Sequence, residues 1–267
     1  MVQALLECRS LSVTRRLHQV SVRVFPGQLV HIIGPNGAGK STLLASIGGL
    51  LRCEGEITLL DKPLSQWHGE ALALRRAYLH QQASPYAAMP VFQYLSLHQP
   101  VNVAEQHIMR TVDYLADALS LSDKLGRPLN RLSGGEWQRA RLAAVLLQVW
   151  PTTNTRARLL LLDEPAASLD IAQRVALDRL LSELTALGLG VLVCAHDLNH
   201  SMQHAGEVWL MSGGKLAAQG AARDVMCPAL LSPVFGVGFT LLQAGDRPWL
   251  IAHDGHPSAQ WAPNPIL

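Results

Sequence analysis

This 267-residue chain has few residues of the kinds that cross-link a fold or anchor it in a membrane. Its four cysteines (Cys8, Cys53, Cys194 and Cys227) include no C-x-x-C pair, which argues against a disulfide framework or zinc ribbon and fits reduced thiols. No apolar run approaches the ~20 residues that span a bilayer, and the strongest candidate, residues 142–149, is short. The first residues lack the layout of a signal peptide, so we expect no secretory leader.

Charge of one sign is also scarce. Charged residues make up 16% of the chain, aromatic residues 5%, and the formal net charge is +2. Such a balance provides no polybasic surface for nucleic acid or for anionic lipid, so neither is expected as a partner. At 49% hydrophobic residues, the chain has enough apolar material for one large α/β domain with a smaller lobe.

A glycine-rich segment carries the strongest functional signal. Residues 34–41 read GPNGAGKS, which fits G-x-x-x-x-G-K-[ST], and they lie between an apolar run at 29–33 and a helix-like stretch at 42–51. Glycines let successive backbone N–H groups point at one phosphate, and the start of the helix adds a favourable field. The predicted nucleotide-binding residues are Gly34, Pro35, Asn36, Gly37, Ala38, Gly39, Lys40 and Ser41, with Lys40 on the phosphates and Ser41 on Mg²⁺.

A second segment supplies carboxylates. Four leucines at residues 159–162 lead into Asp163 and Glu164, which is typical of a buried parallel strand that ends in acidic residues. Ligands of open α/β sheets lie at the carboxyl ends of strands. We therefore predict that Asp163 binds Mg²⁺ and that Glu164, pointing the other way, polarises an attacking water.

A second helix start also suits an anion. Ser133 is a good N-cap residue, and Gly134 and Gly135 leave the first N–H groups of the following helix unobstructed. Gln138 and Arg139, on the same helix, are interpreted as surface or fold-internal residues rather than catalytic groups. The chain thus has two predicted phosphate-binding helix starts, at Lys40 and at Ser133.

The motifs together resemble the nucleotide-binding subunits of ABC transporters. Residues 132–136 are similar to the LSGGQ signature of that family, with Glu136 in place of glutamine. The resemblance extends the ATP-binding stretch to Thr42, and it implies that Ser133, Gly134 and Gly135 close over the ATP of a second copy. It further implies catalytic roles for His196, as the family's switch histidine, and for Gln81, as its Q-loop glutamine, with Gln82 as the alternative to Gln81. Gln81 is also expected to contact Mg²⁺. Asp170, as the aspartate of the family's D-loop, is expected to contact ATP.

One feature departs from the family. Its ATPases often place an aromatic residue before the P-loop strand to stack on adenine, whereas residues 11–17 contain none. Arg15 falls near that place, and a guanidinium can also stack on a base. We expect ATP to be preferred only modestly over other triphosphates.

Within the family, the chain is most similar to the ATPase subunits of bacterial vitamin B12 importers. Residues 134–139 (GGEWQR) and 196–200 (HDLNH) are among the matching stretches, and the pair Glu136–Trp137 is more discriminating than the nucleotide motifs, which the whole family shares. This resemblance implies two copies of the chain with two polytopic permease subunits and a periplasmic binding protein acting through the permease. It places the chain at the cytoplasmic face of the inner membrane, in contact with the membrane only through the permease.

Two alternatives stay open from the sequence. Siderophore-importer ATPases are close relatives with the same motifs, so an iron–siderophore complex is the alternative substrate of the importer. A non-transport ATPase acting on DNA or ribosomes is less well supported, because the interval between Lys40 and Ser133 has no sustained heptads and the chain has one set of motifs.

The predicted fold class is α/β: a P-loop NTPase core with an N-terminal antiparallel β subdomain and an inserted helical lobe. Residues 1–82 and 151–225 form the core with the β subdomain, and residues 83–150 form the helical lobe, where residues 104–119 show a helical period. Residues 226–267 are a proline-punctuated extension of unassigned role, predicted to form small strands or to pack on the core.

Overall fold

The computed structural model describes residues 3–81, 88–245 and 247–254. Twelve strands and nine α-helices lie in these residues, with short 3₁₀ turns at Leu64–Gln66, Ser122–Lys124 and Leu129–Arg131. In chain order the strands and helices are β1 (Leu6–Val13), β2 (Leu17–Val24), β3 (Leu29–Ile33), α1 (Lys40–Ile47), β4 (Glu54–Leu59), β5 (Lys62–Pro63), α2 (Gly69–Ala73), β6 (Arg76–Leu79), α3 (Val91–Ser96), α4 (Glu105–Ala118), α5 (Gly134–Val149), β7 (Leu159–Asp163), α6 (Ile171–Ala186), β8 (Gly190–Cys194), α7 (Leu198–His204), β9 (Glu207–Ser212), β10 (Lys215–Ala221), α8 (Ala222–Val225), α9 (Pro228–Phe235), β11 (Gly238–Ala244) and β12 (Arg247–His253).

A six-stranded sheet with the order β10-β9-β3-β8-β7-β6 forms the centre. All its neighbouring strands run parallel except β10, which pairs antiparallel with β9. Strands β7 and β8 are buried along their whole length, as their leucine and valine runs predict. The carboxyl ends of β3, β8 and β7 lie side by side, so the segments that follow these strands meet at one edge of the sheet.

The first strands form a separate antiparallel sheet with the order β2-β1-β4-β5. Its apolar face shares a buried core with α1 and with one face of the central sheet, including Leu11, Leu43, Leu161 and Trp209. The structure thus confirms the predicted α/β fold class with an N-terminal antiparallel β subdomain.

Helices α3, α4 and α5 lie within the segment predicted as a helical lobe. Their buried residues, such as Leu95, Leu115 and Leu146, share one core with Leu160 and Leu180 of the central domain. The helix α5 therefore links the helical region to the sheet rather than belonging to a detached lobe. The segment boundaries at residues 82, 150 and 225 stay a prediction.

The last described residues pack on the central sheet, one of the two outcomes expected for the extension, and also form strands. Strands β11 and β12 pair as an antiparallel hairpin. The amide side chain of Asn199 on α7 bonds the backbone of Leu250 twice, donating to its carbonyl at 3.0 Å and accepting from its N–H at 2.7 Å. Among the described residues, no helix combines the length and the apolar character needed to cross a membrane.

Candidate nucleotide-binding and catalytic site

The glycine-rich loop runs from the end of β3 to the start of α1, in the strand–loop–helix order that the motif predicts. Gly34 has φ +147°, and a Cβ there would lie 2.2 Å from the carbonyl oxygen of Met211. A side chain at this position would therefore displace β9, so the loop takes this path against the sheet only with glycine.

Lys40 curls back into the loop and is buried. Its Nζ donates to the carbonyl oxygens of Gly34 at 2.7 Å and Pro35 at 3.1 Å. Burial lowers the pKa of Lys40, because the charged ammonium loses hydration. The loop thus holds a partly desolvated positive charge at its centre, which suits a phosphate.

Ser41 and Asp163 are brought together from distant parts of the chain. The Ser41 hydroxyl donates to Oδ1 of Asp163 at 3.0 Å, and Asp163 ends β7 with 2% of its surface exposed. Burial raises the pKa of Asp163, since the carboxylate loses hydration there. A hydroxyl and a carboxylate oxygen are the hard donors that Mg²⁺ prefers, so the residues present fit that ion.

The three predicted catalytic side chains meet at one carboxylate oxygen. Oε1 of Glu164 accepts a hydrogen bond from Nε2 of Gln81 at 3.1 Å and lies 2.6 Å from Nε2 of His196. Glu164 has φ +52°, a left-handed conformation that few side-chain-bearing residues adopt. Strain of this kind concentrates at functional sites. The alternative glutamine, Gln82, lies outside the described residues.

An open cleft of about 360 Å³ is lined by the loop and these side chains. Arg15 and Arg16, in the exposed turn between β1 and β2, line one side, where the sequence has no aromatic residue for adenine. The residues that line the cleft are Arg15, Arg16, Asn36, Gly37, Ala38, Gly39, Lys40, Ser41, Thr42, Gln81, Glu164 and His196.

The second predicted helix start is built as expected. Ser133 caps α5 in a capping box: its hydroxyl accepts from the Glu136 N–H at 3.2 Å, and the Glu136 carboxylate accepts from the Ser133 N–H at 2.8 Å. That backbone hydrogen bond is the main cause of the lowered pKa of Glu136, and Arg127 at 3.2 Å adds to it. A Cβ at Gly135 would lie 2.9 Å from the carbonyl oxygen of Ser168, so this glycine lets the two segments approach closely.

Gly34, Pro35 and Asp163 do not line the cleft, although each is bonded to a residue that does, and two further groups of predicted residues also lie outside it. Ser133, Gly134 and Gly135 do not line it, and neither does Asp170. Asp170 is exposed and caps α6, where its carboxylate accepts from the N–H of Gln173 at 2.9 Å. Within one chain these residues and the glycine-rich loop therefore form separate surfaces.

A buried polar link behind the cleft was not foreseen from the sequence. Gln138 donates to the carbonyl oxygen of Pro165 at 2.9 Å and accepts from Arg141 at 2.9 Å, and Arg141 also donates to the carbonyl oxygen of His80. The link connects α5 to the residues next to Glu164 and Gln81. Gln138 is thus fold-internal, and so is Arg139, which donates to two backbone carbonyls from a buried position. The sequence shows only a glutamine and an arginine three residues apart on a predicted helix, which does not reveal that both are buried.

Comparison with known proteins gives consistent results. The sequence profile described as ABC transporter matches residues 17–167. "Vitamin B12 import ATP-binding protein BtuD" of Pectobacterium atrosepticum is 59% identical over 246 residues, which cover 92% of this chain and 98% of that protein. The protein of the same name in Yersinia enterocolitica is 53% identical over 250 residues, covering 94% and 99%.

A solved structure described as "Structure of ATP binding subunit of ABC transporter" superposes with a TM-score of 0.74 and 26% identity, covering 87% of this chain and 93% of that one. The profile match takes in the glycine-rich loop, the Ser133 helix start and the Asp163–Glu164 turn. The coverage by the two relatives extends the likeness to nearly the whole chain. The chain belongs to the ABC transporter family, among its ATP-binding proteins.

Proposed function

We propose that this chain is the ATP-hydrolysing subunit that powers import of vitamin B12 through a separate membrane permease. The observation that carries the hydrolytic part is the meeting of Gln81 and His196 on the carboxylate of Glu164, in the cleft that also contains Lys40. The substrate part is supported by the names of relatives that are 59% and 53% identical over nearly the whole chain. They favour the vitamin over a siderophore, and import over work on DNA or ribosomes.

The proposed nucleotide site uses residues 34–42. Backbone N–H groups of the loop would bind the phosphate oxygens of ATP, and the Lys40 ammonium would exchange its two carbonyl partners for phosphate. Ser41 and Asp163 would hold Mg²⁺, with Gln81 as a further ligand; when bound, this ion offsets the phosphate charge. The guanidinium groups of Arg15 and Arg16 line the same cleft and are placed to contact the base or the ribose.

For the chemical step, Glu164 is the proposed general base. Its carboxylate accepts a proton from the water that attacks the terminal phosphate, and ADP leaves with the electron pair of the broken P–O bond. His196 and Gln81 hold the carboxylate in position through its Oε1 atom. Asp163, which is buried and bonded to Ser41, is assigned to Mg²⁺ instead.

Hydrolysis and binding can be separated by two substitutions. Glu164→Gln should retain ATP binding and lower turnover by about 10²-fold or more, the range for loss of a general base. Lys40→Ala should instead weaken ATP binding, since a phosphate charge loses its partner. Steady-state ATPase assays and nucleotide titration measure the two effects, with Glu70→Gln, an exposed acid on α2, as the control. Parent-level turnover in Glu164→Gln would remove Glu164 from the proposed role.

The active unit is proposed to be a head-to-tail pair of chains with two-fold symmetry. Ser133, Gly134, Gly135 and Asp170 do not line the cleft of their own chain, and the helix start at Ser133 suits a phosphate presented by another copy. Because ATP would contact both chains, it shifts the equilibrium toward the pair. Sedimentation of Glu164→Gln with and without Mg-ATP tests this. If Glu164→Gln stays monomeric at high concentration with Mg-ATP while the parent protein hydrolyses ATP, the proposed pair is wrong. The assignment of Glu164 as general base would be unaffected by that result.

The proposed assembly contains two copies of this chain and two polytopic permease subunits at the cytoplasmic face of the inner membrane. A periplasmic binding protein would deliver the vitamin to the permease, so no residue of this chain contacts it, and no nucleic acid takes part. Co-purification with a polytopic membrane protein tests the assembly. Uptake of cobalamin and of a ferric siderophore into vesicles distinguishes the two substrates.

A further inference from the structure

A cluster of metal-ligating side chains joins α6 to α7. Asp178 on α6 faces His200 and His204, which lie one turn apart on α7. One ligand atom from each residue lies within 4.8 Å of the others. Within residues 3–81, 88–245 and 247–254 this is the only such group of three or more His, Cys, Asp or Glu side chains.

Hydrogen bonding accounts for only part of the arrangement. Nε2 of His200 is 3.0 Å from both carboxylate oxygens of Asp178, whereas Nε2 of His204 is 3.8 Å from Oδ2, beyond hydrogen-bond distance. The two imidazole rings are stacked, with centroids 4.5 Å apart and planes 25° from parallel. Two imidazole nitrogens therefore converge on one carboxylate, and only that of His200 lies within hydrogen-bond distance of it.

We propose that Asp178, His200 and His204 bind a transition-metal ion of the Zn²⁺ class. Two histidines at i and i+4 on a helix with a carboxylate from a second helix form a donor set that such ions prefer. With metal–ligand distances of about 2.0–2.2 Å, tetrahedral geometry separates ligand atoms by about 3.3–3.5 Å. The two histidine–aspartate separations of 3.0 and 3.8 Å bracket that value, and all three ligand atoms lie within 4.8 Å of one another, so side-chain rotations would complete the site.

This donor set differs from that of the nucleotide cleft. Mg²⁺ and Ca²⁺ favour all-oxygen ligands, and this cluster offers two nitrogens and one carboxylate. None of the three residues lines the cleft around Lys40. The Mg²⁺ that accompanies ATP should therefore not occupy the cluster.

The surroundings are compatible with a cation. The guanidinium of Arg174, four residues before Asp178 on α6, lies 4.0 Å from the carboxylate of Asp197, which offsets its charge. His31 stacks on His200 at 5.8 Å and is committed to Ser201, while three partly exposed ligands leave a route from solvent. A bound ion would fix α7, which begins two residues after His196, to α6, which begins next to Asp170. The site is thus a structural clamp behind the catalytic edge.

The test is metal binding by the full chain after treatment with a chelator. Calorimetric titration with Zn²⁺, and the visible absorption of Co²⁺ as a second probe, should show one equivalent per chain. His204→Gln and Asp178→Asn should each weaken binding at least tenfold. His107→Gln, an exposed histidine on α4, and His196→Ala, in the nucleotide cleft, should bind as the parent does.

Thermal unfolding provides a readout that is independent of ATPase activity. Zn²⁺ at about 100 times its Kd should raise the Tm of the parent and of His107→Gln by roughly 5 °C. The rise should be absent in His204→Gln, which is expected to fold because this side chain is 43% exposed. The proposal is overturned if the parent does not bind Zn²⁺, if His204→Gln binds it with the parent affinity, or if excess Mg²⁺ displaces it.

Discussion

His31 makes a measurable contribution to the pH dependence of stability. It lies in the central strand β3 with 2% of its surface exposed, and its Nδ1 is 3.0 Å from the hydroxyl of Ser201. Burial is the largest cause that lowers its pKa from 6.5 to about 3, and the charges of His200 and His204 act in the same direction while Asp178 opposes them. The imidazole is therefore neutral in the folded protein throughout the usual pH range.

The sign of the effect follows from the two pKa values. In the unfolded chain His31 regains a pKa near 6.5, so the unfolded state binds more protons than the folded state below that pH. The stability it contributes is complete above about pH 6.5 and is lost as pH falls toward 3. From these two pKa values, His31 lowers the free energy of unfolding, relative to its value well above pH 6.5, by about 1.4 kcal/mol at pH 5.5 and about 2.7 kcal/mol at pH 4.5.

Urea unfolding at pH 7.5 and 5.5, with a chelator present, measures the contribution of His31 to the pH dependence of the free energy of unfolding. His31→Gln retains an amide that can bond Ser201 but does not titrate, so its stability should fall between the two pH values by about 1.4 kcal/mol less than that of the parent. His107→Gln, an exposed histidine, should keep the parent's pH dependence. An equal pH dependence in His31→Gln and the parent would refute the reasoning, whatever the variant's absolute stability.

Three further predictions concern the helical region. Glu136→Ala should lower the free energy of unfolding by about 1–2 kcal/mol in urea at pH 7, because it removes the reciprocal cap, and Glu136→Gln should lower it by about half as much. A Glu136→Ala variant as stable as the parent would contradict the capping box. Gly135→Ala should cost about 1–3 kcal/mol because its Cβ would overlap a backbone oxygen, whereas Gly134→Ala, with open space around it, should cost less than 1 kcal/mol. Phe92 is 56% exposed on α3, and Phe92→Asp should abolish cobalamin uptake into vesicles while the free subunit keeps its ATPase activity. Met109→Asp, at a similarly exposed side chain on α4, is the control. Normal uptake in Phe92→Asp would place the permease contact elsewhere.

The central elements were predictable because their local signals agree with their burial. The apolar runs before Gly34 and Asp163 become β3 and β7, and the N-cap signal at Ser133 corresponds to the observed start of α5. Helix boundaries were less accurate. Helix α1 begins at Lys40 and ends at Ile47, not at residues 42 and 51, because the loop backbone already turns into helix at the motif lysine and Gly48 ends it.

The sequence predicts which strand ends carry Gln81, Glu164 and His196, whereas the roles of these residues stay a prediction and one buried link near them was not predictable. The motifs placed Gln81, Glu164 and His196 at strand ends, and strand adjacency then brings them together. The link through Gln138 and Arg141 depends on how α5 lies against the sheet, which no local pattern specifies. The sequence also predicts a permease contact in the aromatic and apolar segment 84–94, of which Tyr86 lies outside the described residues and Phe92 is exposed on α3.

Helix α7 shows how one short segment can connect separate parts of the site. It begins two residues after His196, and its polar residues contact three different elements: Asn199 bonds β12, His200 bonds α6, and Ser201 bonds β3. Seven residues are too few for a helix to be stable by itself, so these tertiary contacts hold α7 in place. The position of His196, and through it that of the Glu164 carboxylate, therefore depends on contacts that include the C-terminal hairpin. Residues beyond 225 can therefore influence the position of the catalytic side chains without contacting the nucleotide.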